Sequence, residues 1–193
     1  MVKKMFVGIM LLFALQANAQ QYDFIKGGLI RANLTFTQSF MLQHKNKNVY
    51  LGGHLELFTS KNFSIRGDCF WYMDTRQQNP ILKQNAIVLF GAVMHLPKGR
   101  NDFYLGIQPG FSLTRPQKPD FDENNYNVRL MPDISLLAGY TLYFSKFCHF
   151  YIGLNYLVSR YRGTTNGSLK LDELFISGGL GFHLNLKKQK PEH

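Results

Sequence analysis

The sequence predicts an all-β chain folded as an eight-stranded antiparallel up-and-down transmembrane β-barrel. Segments of about ten residues alternate apolar with polar or small side chains, the period of a strand with two different faces. The connections between these segments alternate between short and long. Beyond Leu15 no stretch approaches the roughly 18 consecutive apolar residues that a membrane-spanning helix needs. A chain without such a helix crosses a bilayer only as a closed barrel, because hydrocarbon offers an open backbone no hydrogen-bond partner.

Residues 1–19 read as a secretory signal peptide. Lys3 and Lys4 supply the positive start, 6–15 is an unbroken apolar run, and Ala17-Asn18-Ala19 is a small-x-small cleavage site before Gln20. No cysteine follows the apolar run, so a lipoprotein anchor is not expected. The barrel is then expected over 20–186, followed by a short basic periplasmic tail at 187–193.

The first strand, 25–40, sets Ile30, Ala32, Leu34 and Phe36 opposite Arg31, Asn33, Thr35 and Thr37. The second sets Val49, Leu51, Gly53, Leu55 and Leu57 against Tyr50, Gly52, His54, Glu56 and Phe58. The third sets Phe63, Ile65, Cys69, Trp71 and Met73 against Ser64, Arg66, Asp68, Phe70 and Tyr72. The sixth, seventh and eighth alternate in the same way. They present Ile134, Leu136, Phe150, Ile152, Ile176 and Leu180 on one face, and Ser135, Thr141, His149, Asn155, Glu173 and His183 on the other. The fourth, 86–96, is apolar on both faces, so its facing is not legible. The fifth, 103–114, contains Pro109, which lacks the ladder donor and predicts a bulge or a local break in pairing.

Short connections lie at 60–62, 97–101 and 145–147, and longer ones at 42–48, 75–85, 115–132 and 160–170. Short turns belong to the periplasmic side of such barrels, which places both termini there. A three-residue loop between the second and third strands, with Asn62 left-handed, sets Glu56 opposite Arg66 and His54 opposite Asp68. Slipping this register by two residues would set Glu56 against Asp68, and like charges directly opposite are unfavourable.

With these elements assembled, the chain resembles the small eight-stranded outer-membrane barrels of the OmpA and OmpX type, within the outer-membrane protein β-barrel domain family. The resemblance rests on patterns such as Leu51-Gly52-Gly53-His54-Leu55-Glu56-Leu57 and Ile176-Ser177-Gly178-Gly179-Leu180-Gly181-Phe182-His183-Leu184. It implies a monomer in the outer membrane of a Gram-negative cell envelope. Barrels of this type end on a strand with a terminal aromatic residue, whereas this chain continues from Leu186 into Lys187 and the basic tail. Any such assembly signal would be internal, near 182–186.

The interior of an eight-stranded barrel is just wide enough for side chains to fill. Arg31, His54, Glu56, Arg66, Asp68, Glu173 and His183 are expected there as an interior polar network whose opposite signs compensate one another. Open, porin-like conduction is therefore not expected.

Neither a metal nor another cofactor is expected, because the chain has no metal-ligand spacing and no glycine-rich loop between a strand and a helix. Cys69 and Cys148 are expected on different sides of the barrel, too far apart for a disulfide. Asp74, Ser159, Ser168 and Asp172 lie near the outer rim, but the three longest outer loops carry no histidine and His44 alone sits on the outer side. Enzymatic activity is accordingly not expected. A lipid-modifying outer-membrane enzyme and a soluble exported ligand-binding barrel are the alternative classes.

The net charge of +10 comes with no aromatic-basic nucleic-acid module. The basic residues on the outer side are His44, Lys45, Lys47, Arg76, Lys83, Arg115, Lys118, Arg160, Arg162 and Lys170. They point to membrane lipid and to phosphate groups of a surface glycolipid as partners. The loop at 115–132, with Phe121 and Tyr126 among charges, is expected to plug the mouth or to bind an extracellular protein.

Overall fold

The computed structural model describes residues 24–75, 80–117, 127–164 and 167–186. The predicted signal peptide and basic tail, together with Arg76, Lys118, Phe121 and Tyr126, lie outside the described residues. The strands are β1 (Leu29–Met41), β2 (Lys47–Phe58), β3 (Phe63–Thr75), β4 (Leu82–Lys98), β5 (Asn101–Pro116), β6 (Arg129–Tyr143), β7 (Cys148–Val158), β8 (Arg160–Thr164), β9 (Gly167–Lys170) and β10 (Glu173–Asn185). Eight of them close into a ring in the order β1-β10-β7-β6-β5-β4-β3-β2. Every pair in the ring is antiparallel, so each barrel strand lies beside its neighbours in sequence and β1 closes on β10.

Closure removes every sheet edge from the ring, and the alternation read from sequence then sorts side chains to its two faces. Leu34, Phe36, Trp71, Phe90, Leu180 and Phe182 project outward, with Leu34 and Phe182 each 70% exposed. Arg31, Glu56, Arg66, Asp68 and Glu173 project into the lumen and are buried. The facing of β4, hidden in the sequence, follows from its ladders with β3 and β5. Asn85, Ile87, Leu89, Val93 and His95 turn inward, while Val88, Phe90, Met94 and Leu96 turn outward.

Pro109 breaks pairing on one side only. Leu89 pairs with Gly110 and Ala92 with Ile107 in one register, with the ladder lapsing between them, whereas β5 pairs with β6 continuously through Pro109 and Ile134. The ladder therefore lapses at two positions, Phe90 opposite Pro109 and Gly91 opposite Gln108, without shifting the strands.

Two local expectations need correction. The segment 160–170 is not a plain loop: β8 and β9 form a two-stranded hairpin that extends the wall beyond β7 and β10. The β2–β3 turn has the predicted length and register, with Glu56 opposite Arg66 and His54 opposite Asp68. Asn62, however, does not take a positive φ; among the described residues the non-glycine with one is Lys45. The turn is held instead by Ser60 Oγ, which accepts from the Asn62 and Phe63 backbone N–H groups at 3.3 and 3.1 Å. The Asn62 amide donates to the His95 carbonyl at 3.1 Å. A side-chain acceptor two and three residues upstream replaces the left-handed residue as the device that reverses the chain.

The lumen is filled in layers. Ile25, Leu29, Phe58 and Tyr143 pack together at the short-turn end. Val93, Tyr104 and Leu137 pack midway, and Tyr50, Phe70, Ile87, Leu89, Leu157 and Phe175 lie above them. Met41, Leu82, Met131, Tyr161 and Leu171 close the long-loop end. Tyr104 crosses toward β6 and β7, where a Cβ on Gly139 would meet its hydroxyl and the Ile152 carbonyl. Gly139→Val is therefore expected to lower stability by roughly 1–3 kcal/mol through overpacking. The check is the midpoint of denaturant unfolding of the refolded protein in lipid vesicles. Gly179→Ala is the control and should leave the midpoint unchanged, because a Cβ there finds Thr35 Oγ1 at 3.5 Å and Tyr151 at 3.8 Å, ordinary contact distances.

Candidate functional site

The interior polar network is organised around Arg31. Its guanidinium donates to Glu56 Oε2 through Nε at 2.8 Å and Nη2 at 2.5 Å, a forked contact with the neighbouring strand. Its Nη1 reaches across the lumen to Asp102 Oδ2 at 3.1 Å, Thr141 Oγ1 at 2.8 Å and the Tyr143 hydroxyl at 3.0 Å. The faces of Phe58 and Tyr104 lie 5.2 Å from the guanidinium carbon on either count, adding cation–π contact. A planar, permanently charged fork suits this position, where several acceptors converge from different strands.

His95 completes the cluster from β4. Its Nδ1 lies 2.9 Å from Asp102 Oδ2 and its Nε2 lies 2.9 Å from Glu56 Oε1. A neutral imidazole donates at one nitrogen only, so the doubly protonated ring alone satisfies both carboxylates as a donor. Ser64 Oγ donates to the same Glu56 oxygen at 2.5 Å. Arg31 and His95 thus meet Glu56 and Asp102 in one buried group, the imidazole lying 2.9 Å from both carboxylates.

A second pair lies in the next layer. Arg66 donates to both oxygens of Asp68, through Nε at 2.8 Å and Nη2 at 2.7 Å, along one strand. The Gln108 amide donates to Asp68 Oδ2 at 2.6 Å and to the Arg66 carbonyl at 3.3 Å.

The seven residues singled out in the sequence are all buried in the lumen, but they divide into separate groups. Arg31 joins Glu56, and Arg66 joins Asp68. Glu56 and Arg66 are opposite in the ladder without bonding, because each has a partner that reaches it with better geometry. His54 likewise faces Asp68 in register, yet its ring packs edge-on against Tyr151 at 5.6 Å. His183 meets His149, with the Nδ1 atoms 3.2 Å apart, and packs edge-on against Tyr143 at 4.9 Å. Glu173 lies toward the long-loop end and accepts from Ser39 at 2.5 Å and the Tyr50 hydroxyl at 3.0 Å, a neutral hydrogen-bonding environment.

Sequence reasoning missed His95 and Asp102, which hold the centre of the cluster. His95 carried a usable signal: it is the one ionisable residue within the otherwise apolar stretch 86–96, and a charged group in a membrane strand belongs on the lumen side. Asp102 was hidden by its place at a strand end, where aspartate reads as turn chemistry.

Around the outer rim the geometry is that of solvated connections. Asp172 accepts from the Ser159 backbone N–H at 3.2 Å, and the His44 ring faces the Lys170 carbonyl at 3.0 Å. Cys69 and Cys148 are both free thiols. Among the described residues no three His, Cys, Asp or Glu side chains gather as a metal site. Lumen closure at the long-loop end comes from Met41, Leu82, Met131, Leu171 and Tyr161, whose hydroxyl donates to the Asn127 carbonyl at 3.0 Å. The central residues of the loop at 115–132, predicted as a plug, lie outside the described residues.

No protein-family model and no curated protein sequence matches the chain. Solved structures do. Neisserial surface protein A aligns over 80% of this chain and 95% of its own, with TM-score 0.61 and 10% identity. The outer membrane protein OprG from Pseudomonas aeruginosa aligns over 84% and 99%, with TM-score 0.60 and 10% identity. The chain has the fold of the small eight-stranded outer-membrane barrels. The N-terminal β-barrel domain of Pseudomonas aeruginosa OprF aligns over 82% of this chain and 98% of its own, with TM-score 0.56 and 12% identity. At these identities the likeness lies in the closed ring of strands rather than in particular side chains.

Replacing Arg31 by Met is expected to destabilise the barrel by about 3–5 kcal/mol, because Glu56 and Asp102 would be left buried without their main cation. Replacing Arg31 and Glu56 together by apolar residues should cost less than the sum of the two single changes. Denaturant unfolding of the four proteins in lipid vesicles, compared as a double-mutant cycle, reads both effects.

Proposed function

We propose that this protein is an integral outer-membrane β-barrel with a side-chain-filled interior, a structural or surface-interaction protein rather than an enzyme. The observation that carries this reading is the inversion of polarity across the wall. Leu34, Phe36, Leu55, Trp71, Phe90, Leu105, Leu136 and Leu180 face outward around the ring, whereas Arg31, Glu56, Arg66, Asp68, His95 and Asp102 are buried inside it. Soluble monomers rarely expose contiguous apolar patches beyond a few hundred Å². Hydrocarbon outside and a compensated polar core inside satisfy both faces together. The fold shared with solved outer-membrane barrels supports the location, and the export signal read at 1–19 agrees with it.

The same reading makes the chain a monomer that takes membrane lipid around its wall and presents its long connections outside the cell. Contact with a surface partner, lipid or protein, then runs through the long-loop end. The layered packing of the lumen supports a barrel that does not conduct.

The protein is expected in the detergent-extracted membrane fraction, migrating anomalously on an electrophoresis gel until it is boiled. Recovery in the soluble periplasmic fraction with no shift on boiling would overturn the membrane assignment. In planar bilayers the purified protein should give no steady open channel, and a stable conductance at neutral pH would contradict the filled lumen.

A further inference from the structure

Three arginines converge at the rim of the long-loop end, Arg129 in the lumen-facing register of β6 that Met131 shares. Arg129 opens β6, and Arg160 and Arg162 lie on β8, where the hairpin leans against β6. Together with Leu130 and Pro132 they line a cleft of about 420 Å³. All three arginines are exposed. Arg129 is held in place, donating to the Arg162 carbonyl at 2.8 Å and stacking over the Tyr161 ring at 5.7 Å. None of the three forms an ion pair with a carboxylate of the described residues, in a protein whose lumen cations are matched to carboxylates.

The floor of the cleft continues into the apolar belt. Leu130 is 65% exposed, and below it Ile134 and Leu136 face outward beside Tyr156 and Val158 of β7. A cationic cleft directly above an apolar wall matches an amphiphile with an anionic head and acyl chains.

We propose that Arg129, Arg160 and Arg162 form a binding site for the phosphorylated sugar headgroup of an outer-leaflet glycolipid, whose acyl chains lie along Ile134, Leu136 and Val158. This site rests on the outer-membrane reading above, which puts the long-loop end in the outer leaflet. Charge favours the glycolipid over an ordinary phospholipid. A phosphodiester headgroup such as phosphatidylglycerol carries one negative charge, whereas a sugar phosphomonoester carries about −1.5 to −2 at neutral pH. Three guanidiniums, one of them already oriented, suit the larger charge and the forked geometry of phosphate oxygens.

The test uses the full mature chain refolded in detergent and titrated with bisphosphorylated lipid A, dephosphorylated lipid A and phosphatidylglycerol, with bound lipid counted by native mass spectrometry. Arg160→Gln with Arg162→Gln is the variant, since both side chains are exposed and the Arg162 carbonyl that holds Arg129 is kept. Binding of bisphosphorylated lipid A is expected to exceed that of the other two lipids and to fall roughly tenfold in the variant. An Arg160→Lys, Arg162→Lys variant should retain part of it. Equal binding by wild type and the Gln variant, both still heat-modifiable on a gel, overturns the site. Phosphatidylglycerol binding as tightly as lipid A overturns the glycolipid assignment. A wild-type chain with no heat-modifiable form instead overturns the membrane reading, and the site falls with it.

Discussion

Arg31 stands where the two demands on this barrel meet. A closed ring of eight strands has a lumen that must be filled, and an apolar exterior leaves the polar side chains nowhere else to go. One guanidinium on β1 bonds Glu56 on β2, and across the lumen Asp102 on β5 with Thr141 and Tyr143 on β6. His95 on β4 bridges the two carboxylates. β5 lies four strands from β1 whichever way the ring is followed, so the Arg31–Asp102 contact spans opposite walls. A slip of any of these strands would leave a charge buried without its partner, which is far costlier than the pair is favourable. The cluster therefore acts mainly on register and closure.

The remaining layers follow from that closure. Apolar groups sit at both ends of the charged centre, with Ile25, Leu29 and Phe58 beneath and Met41, Leu82, Met131, Tyr161 and Leu171 at the far mouth. They keep water from the ends and so lower the effective dielectric in which the ion pairs act. Glu173 lies above the charged layers and is met by hydroxyls rather than cations, so the lumen changes from ionic to neutral hydrogen bonding along its axis. The outer rim differs again, with exposed arginines gathered beside Leu130 and Pro132 where the apolar belt ends.

Much of this was legible in the chain because strands carry a period of two. Leu55 and Leu57 alternating with His54 and Glu56 already places the charges inside, and the short 60–62 connection sets their register against β3. The device inside that turn was not legible, since a serine hydroxyl accepting two backbone donors and a left-handed asparagine close a loop of the same length. β4 was illegible for another reason. Its lumen face is itself apolar over Ile87, Leu89 and Val93, so alternation vanishes where the strand meets the aromatic layers.

Patterning along the chain settles the fold class, the facing of six strands, the length of the turns and seven of the ionisable side chains that enter the lumen, but not His95 or Asp102. These depend on residues close together along the chain or directly opposite in one hairpin. Tertiary structure alone decided which charges pair. Arg31 takes Asp102, 71 residues away, and His95 joins the carboxylates, while His54 and Arg66 turn from the groups they face in the ladder. Side-chain partners across a lumen are set by the circumference and shear of the closed ring, and period-two patterning carries no information about either.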